Sequence, residues 1–159
     1  MSRWHNLYLD GHARFCTATV SGWRPFFTEE TVAVLYREWE AARRDHRVRV
    51  LAYVVMPDHF HLVLWAQTGQ SIRRFLQRTL ALTSRTFQPG GGFWKERPRV
   101  LPIHSEKVLK TKVDYLHANP VRGSLVADPG DWEHSSYRHL VLECAEPAFG
   151  CDKWTDLAW

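Results

Sequence analysis

The stretch YVVMPDHFHLVLW at residues 53–65 decides the fold that the sequence predicts. Two runs of apolar and β-branched residues, 51–56 and 60–65, flank the turn-forming pair Pro57 and Asp58. This pattern is typical of a β-hairpin, and its apolar content places the hairpin in the middle of a sheet. The rest of the chain is therefore expected to pack around it.

The second strand of this hairpin has two chemically different faces, because successive side chains of a strand alternate. One face is apolar and suits a core: Phe60, Leu62 and Leu64. The other face takes His59, His61, Val63 and Trp65. Two imidazoles side by side on a rigid strand form a bidentate site for a divalent metal. Two solvent-facing histidines would show the same spacing, so a third partner is needed before the pair indicates a site.

Length and composition predict a single globular domain over residues 1–159. The chain is 45% hydrophobic and 24% charged, and it is long enough to bury a core. Nothing in it resembles a signal peptide or a membrane span, because the apolar runs of the hairpin are short and interrupted. We therefore expect a cytoplasmic protein.

Charge and aromatic content favour an anionic partner. The formal net charge is +4 and the isoelectric point is near 9.1. Eight tryptophans, eight phenylalanines and five tyrosines exceed the needs of one core, so some rings should lie where they can stack on unpaired bases. Three cysteines, Cys16, Cys144 and Cys151, lack the spacing of disulfide or zinc motifs and are predicted to be free thiols.

Two helices are predicted on either side of the hairpin. Residues 13–23 alternate as a first strand, and Thr28 caps a helix that runs to about Asp45. A second helix is predicted from Ser71 to about Gln88, with an apolar stripe along one side.

A strand and a third helix complete the pattern. Residues 93–103 predict the strand, which Pro98 places near a sheet edge. Ser105 caps the third helix, which should end near Asn119 because Pro120 disfavours helical geometry in the residue before it.

The element order β-α-β-β-α-β, followed by an extra helix, predicts an α+β fold. The simplest arrangement for this order of elements is ferredoxin-like, with an antiparallel sheet and two helices on one face. The third helix and the irregular tail of residues 121–159 then cover the other face. With the apolar side of the hairpin strand toward the first two helices, His59 and His61 point at the third helix.

The third helix carries candidate partners for the histidines. Tyr115 and Asn119 are four residues apart and share one face, and Lys112 lies close to that face. Tyr115 sits at the margin of the apolar stripe, where a tyrosine is also typical of simple packing.

A basic row is predicted on the second helix. Arg74, Arg78 and Arg85 line up opposite its apolar face. Such a row suits contacts with a phosphate backbone, and a solvated charged surface is the alternative.

Several strings of the chain together resemble the REP-associated tyrosine transposases, the bacterial branch of the single-tyrosine HUH transposases. They are MPDH with FHLVLW, then YLHANPVRGSLV and DWEHSSYRHL some fifty residues later. The resemblance covers about residues 14–140, whereas the irregular end of the tail, residues 141–159, has no counterpart in it. It implies that His59 and His61 are the metal-binding pair. It also implies that Tyr115 is the nucleophile and Asn119 a further metal ligand.

The resemblance implies a reaction as well. Tyr115 would cleave single-stranded DNA at hairpin-forming, REP-like repeats through a 5′-phosphotyrosine and transfer the strand, as in DNA transposition, without a nucleotide cofactor. Mixed nitrogen and oxygen ligands suit Mg²⁺ or Mn²⁺, although imidazoles alone do not exclude zinc. Lys112 or the metal would assist by favouring the phenolate, and a monomer is favoured over a homodimer. A non-catalytic protein that binds DNA hairpins in a host role is the alternative.

Overall fold

A four-stranded antiparallel sheet forms the centre of the computed structural model, which describes residues 8–159. The strands are β1 (Ala13–Thr19), β2 (Arg49–Val55), β3 (His59–Trp65) and β4 (Arg99–Ile103). They lie in the order β2-β3-β1-β4, and each neighbouring pair is antiparallel. This is the ferredoxin-like arrangement, so the predicted α+β class is confirmed. The first seven residues of the predicted domain lie outside the described residues.

Helices cover both faces of the sheet. They are α1 (Glu29–His46), α2 (Gly69–Phe87), α3 (Glu106–Arg122) and α4 (Tyr137–Leu140), with short 3-10 turns at Ser21–Trp23 and Pro129–Asp131. The helices α1 and α2 pack against each other and share one core with the sheet, whereas α3 packs on the opposite face. Within residues 8–159, no helix combines the length and the apolar character that crossing a membrane requires.

The alternation of β3 divides the interior into two cores, as the sequence predicts. Phe60, Leu62 and Leu64 are fully buried on the side of α1 and α2. On the other side, Val63 packs in a second core that includes Leu116 of α3. Both faces of the strand are thus buried, which leaves little room for a shift in register.

Capping residues fix where the helices begin. Thr28 and Ser105 precede α1 and α3 as predicted, and the Ser105 hydroxyl accepts from the amide of Val108 at 3.2 Å. The predicted start of α2 at Ser71 is wrong by two residues. Thr68 is the N-cap, and its hydroxyl accepts from the Ser71 amide at 3.3 Å, so Ser71 lies within the first turn.

Two predicted strands are shorter in the structure. β1 ends at Thr19, because Gly22 and Trp23 adopt left-handed backbone angles that end the extended chain. Of residues 93–103, only β4 is a regular strand, since Pro98 cannot donate a ladder hydrogen bond. The predicted edge position of β4 is confirmed.

The predicted end of the third helix at Asn119 is wrong, because α3 continues through Pro120 to Arg122. Pro120 is buried, and the helix closes after it with a hydrogen bond from the Gly123 amide to the Asn119 carbonyl at 2.8 Å. Proline lacks a backbone donor and disfavours helical geometry in the residue before it. Burial of the Pro120 ring outweighs this preference here.

The tail of residues 121–159, which the sequence predicts to be irregular, protects the outer edge of β2. The amide of Val55 donates to the His134 carbonyl at 2.8 Å, and the amide of Ser136 donates to the Tyr53 carbonyl at 2.9 Å. These bonds satisfy backbone groups that an exposed edge strand would leave open to other chains.

The tail also contributes to the main core through Phe149. Its ring is only 6% exposed and contacts the rings of Tyr36, Trp39 and Tyr53 at 5.4–5.6 Å. Its amide donates to the Tyr53 hydroxyl at 3.1 Å. The tail is therefore part of the folded domain.

The three cysteines are free thiols, as predicted. Cys16 is fully buried in β1, and burial raises the pKa of its thiol. Among residues 8–159, no group of three or more His, Cys, Asp and Glu side chains lies close enough together to hold a metal ion.

Replacing Phe149 should test the contribution of the tail. Phe149→Ala removes a buried aromatic ring and should lower the free energy of unfolding by about 3–4 kcal/mol in a urea titration. The matched control Val141→Ala, at a residue that is 52% exposed, should change it by about 0.5 kcal/mol or less. Equal, small effects of the two substitutions would contradict a structural role for the tail.

Candidate active site

The histidine pair of β3 faces α3, as the sequence predicts. The ring centroids of His59 and His61 lie 4.9 Å apart, and the centroid of His61 lies 5.8 Å from that of Tyr115. His61 is buried, whereas Tyr115 is 40% exposed. The structure thus brings the candidate ligands and the candidate nucleophile together, with the nucleophile open to a substrate.

The side chain of Phe15 in β1 lies within this cluster and contacts both His61 and Tyr115. Its ring stacks on His61 at 5.1 Å and meets the ring of Tyr115 edge-on at 5.9 Å. The ammonium of Lys112 lies 5.2 Å from the centre of the Phe15 ring. Lys112 is therefore close to the site, as predicted, and is held there by a cation–π contact.

Hydrogen bonds at Nδ1 orient both imidazoles. His59 Nδ1 lies 2.6 Å from Asp58 Oδ1, and His61 Nδ1 lies 2.7 Å from Thr17 Oγ1. With Nδ1–H donating to these oxygens, each ring keeps the lone pair of Nε2 for a ligand. A hydrogen-bonded Nδ1 that fixes the tautomer is the usual support of a metal-binding histidine.

Electrostatics keep His61 neutral. Burial, the neighbouring His59 and the charge of Lys112 lower the pKa of His61 to about 3. The imidazole therefore carries no proton that would compete with a metal ion at neutral pH.

Asn119 lies one turn beyond Tyr115 on α3, as predicted, but it turns toward its own helix. Its side-chain amide donates to the Tyr115 carbonyl at 3.0 Å, which leaves the side-chain oxygen of Asn119 as an acceptor. In the described part of the chain, no hydrogen bond or ion pair joins Asn119 to either histidine. Its role as a metal ligand stays a prediction.

Arg122 is a site residue that the sequence does not predict. Its guanidinium carbon lies 5.1 Å from the centre of the Tyr115 ring, seven residues further along α3. Positions i and i+7 share a helix face, so the helical period would have indicated this contact. The predicted helix end at Asn119 concealed it, because Arg122 then lay outside the helix.

Neither Tyr53 nor Tyr137 contacts the rings of His59 and His61. Tyr53 is fully buried in the core shared with α1 and α2, across the sheet from His61, and burial raises the pKa of its hydroxyl. Tyr137 packs edge-on against His117 at 5.4 Å. His117, which the sequence leaves unassigned, is buried with Nε2 at 2.7 Å from Ser136 Oγ and joins α3 to the tail.

The arginine row of α2 lies on the far side of the sheet from the histidines. Arg74 and Arg85 are exposed, and Arg78 forms an ion pair with Asp45 at the end of α1. One of the three charges is thus partly neutralised within the protein. Contact of this row with DNA stays a prediction, and the solvated surface remains the alternative.

Fold and site together define a class of protein: an α+β domain in which a central strand holds a histidine pair against a helix that carries an exposed tyrosine. The chain is 24% identical over 160 residues to the REP-associated tyrosine transposase of Escherichia coli (strain K12), covering 99% of this chain and 96% of that protein. The resemblance that the sequence indicates is thereby confirmed.

Two further comparisons agree with this resemblance. A Haemophilus influenzae protein provisionally given the same name is 21% identical, over 89% of this chain and 88% of that protein. The solved structure of a REP-associated tyrosine transposase bound to a REP hairpin matches with a TM-score of 0.74 and 23% identity, over 99% of this chain and 96% of that one. This match confirms the fold. No protein-family model matches the chain.

The low pKa of His61 can be checked by an NMR titration of the metal-free protein. The imidazole signals of His61 should stay unchanged from about pH 7.5 to about pH 4.5, because the neutral ring gains a proton only near pH 3. A free histidine would titrate near pH 6.5 in the same range. A midpoint for His61 between about pH 5.5 and pH 7 would contradict this prediction.

Proposed function

We propose that this protein cleaves and rejoins single-stranded DNA at hairpin-forming repeats, with Tyr115 as the nucleophile. The observation that carries the proposal is the position of Tyr115, an exposed tyrosine 5.8 Å from the centroid of an oriented, neutral histidine. The similarity to REP-associated tyrosine transposases along nearly the whole chain supports DNA with a hairpin as the partner.

In the proposed reaction, the hydroxyl of Tyr115 attacks a phosphorus atom of the DNA backbone in line with the departing oxygen. A bond forms between Tyr115 Oη and phosphorus, and the bond from phosphorus to the 3′-oxygen breaks. The tyrosine loses its proton, and the leaving 3′-oxygen becomes a hydroxyl. In the reverse direction a 3′-hydroxyl attacks the 5′-phosphotyrosine, so strand joining needs no external energy source.

The donor set fits a divalent metal. Both histidines have Nδ1 engaged and Nε2 available, and the Asn119 oxygen would add a third ligand one turn from the nucleophile. Mg²⁺ or Mn²⁺ is the proposed cofactor, because a mixed nitrogen and oxygen set suits exchangeable binding. When bound, such an ion would supply Lewis-acid polarisation of the scissile phosphate.

Two cations of α3 would assist at the phosphate. Lys112 lies above the Phe15 ring beside His61, and Arg122 lies above the Tyr115 ring. Positive charge at these positions favours an approaching phosphate and the negative charge that develops on the attacking oxygen. Because Tyr115 and His61 meet within one chain, a monomer suffices for the proposed reaction.

Tyr115→Phe tests the proposed nucleophile. The protein is incubated with labelled single-stranded hairpin DNA and Mn²⁺, and the adduct that survives denaturation is measured. Phenylalanine keeps the ring packing but lacks the attacking oxygen, so adduct should fall by a factor on the order of 10³ or more. The free energy of unfolding should change by about 1 kcal/mol or less.

Tyr137→Phe is the matched control and should keep the adduct. If Tyr115→Phe still forms adduct, or if the phosphotyrosine maps to Tyr137, the proposed site is wrong. A parent protein that binds the hairpin and forms no adduct would favour the non-catalytic hairpin-binding alternative.

His61→Ala tests the proposed metal site. Loss of one imidazole should abolish Mn²⁺-dependent cleavage, whereas hairpin binding should persist, because backbone contacts supply most of the affinity. Chelation of the metal by EDTA should have the same effect on the parent protein. His104→Ala, at an exposed histidine that follows β4, is the control and should leave cleavage unchanged. Full cleavage by His61→Ala would remove the metal role from this pair.

A further inference from the structure

Trp23 lies at the rim of the candidate active site and has no role in the function proposed so far. Its ring centroid lies 6.2 Å from that of His59, with the two rings nearly perpendicular. It is nevertheless 54% exposed, the largest exposed fraction of any tryptophan among the described residues. A large apolar surface is therefore left in water beside the histidine pair, where a substrate would arrive.

The backbone that presents Trp23 is strained but firmly held. Gly22 and Trp23 have φ angles of 70° and 54°, in the left-handed region that a bulky residue rarely adopts. The turn is fixed by hydrogen bonds from the Ser21 amide to the Phe93 carbonyl at 2.8 Å and from the Trp23 amide to the Val20 carbonyl at 3.0 Å. A strained position that keeps an exposed ring beside a candidate site is typical of a binding residue.

A cation accompanies the ring. The ammonium of Lys95 lies 4.9 Å from the centre of the Trp23 ring, and the Lys95 amide donates to the Thr19 carbonyl at 2.8 Å. The lysine is thus attached to the end of β1, next to the turn that carries Trp23. An exposed indole with an adjacent ammonium matches the two parts of a nucleotide, because aromatic rings stack on bases and cations contact phosphates.

We propose that Trp23 stacks on an unpaired base of the DNA strand that flanks the phosphate held at His59 and His61, and that Lys95 contacts a phosphate of the same strand. The inference rests on the proposed function, since it assumes that DNA occupies the histidine site. It assigns a substrate-positioning role to a turn before α1. It also accounts for the exposure, the strained backbone and the lysine together.

The test compares two strands with equal phosphate charge. One strand is an oligonucleotide of about twelve thymidines, and the other is an abasic deoxyribose-phosphate strand of the same length. Binding is measured by fluorescence anisotropy in EDTA, so that no cleavage occurs. Trp23→Gly removes the ring and keeps a residue that tolerates the left-handed turn, so folding should be preserved.

Trp23→Gly should weaken binding of the thymidine strand about 5-fold or more and leave binding of the abasic strand unchanged. Trp23→Phe, which retains a smaller ring, should keep part of the preference for the thymidine strand. Lys95→Ala should weaken binding of both strands and lower the salt dependence by about 0.7 in the logarithmic slope. Trp159→Ala, at a tryptophan that is 44% exposed, is the control and should change neither.

Unchanged binding of the thymidine strand by Trp23→Gly would overturn the proposal, and so would an equal loss on both strands. The second result would assign Trp23 a purely structural role. Because the experiment measures binding without metal, its outcome is independent of the adduct assay at Tyr115. A failed nucleophile with intact Trp23 stacking would contradict only the proposed function.

Discussion

The pairing of β1 with β3 is the constraint on which the rest of the structure depends. It places Thr17 opposite His61 and allows the 2.7 Å hydrogen bond that orients the imidazole. The same register places Phe15 where it stacks on His61 and contacts Tyr115. A shift of one residue would exchange the histidine face with the apolar face and bury two imidazoles in the core beneath α1 and α2. Site geometry and core packing are therefore set by one choice of register.

Local patterns allow much of this architecture to be predicted. The alternation of β3, the caps Thr28 and Ser105 and the edge position that Pro98 indicates all depend on neighbouring residues. The contacts of Phe15 and Thr17 with His61 cannot be predicted in this way, because a local sequence pattern does not reveal which residues of two strands lie opposite each other. The role predicted for Tyr115 comes from the resemblance to a known family, since its position at the stripe margin alone also fits a packing residue.

The candidate site has a buried part on the sheet and an exposed part on the helix. His61 is only 7% exposed and is surrounded by side chains that keep it neutral, whereas Tyr115 is 40% exposed. The histidine on the sheet is therefore enclosed by protein, whereas the tyrosine on the helix is open to solvent. The arginines of α2 lie across the sheet, whereas Lys112 and Arg122 of α3 and Lys95 contact aromatic rings at or beside the site.

The docking of the tail on β2 has a consequence for how the chain folds. The Val50 carbonyl receives its hydrogen bond from the Asp152 amide, about a hundred residues later in the sequence. During synthesis this edge stays uncovered until nearly the whole domain has left the ribosome. Pairings between such distant residues slow folding, because a long loop must close before they form. A nascent chain that stops short of the tail would carry an open strand edge and be prone to association with other chains.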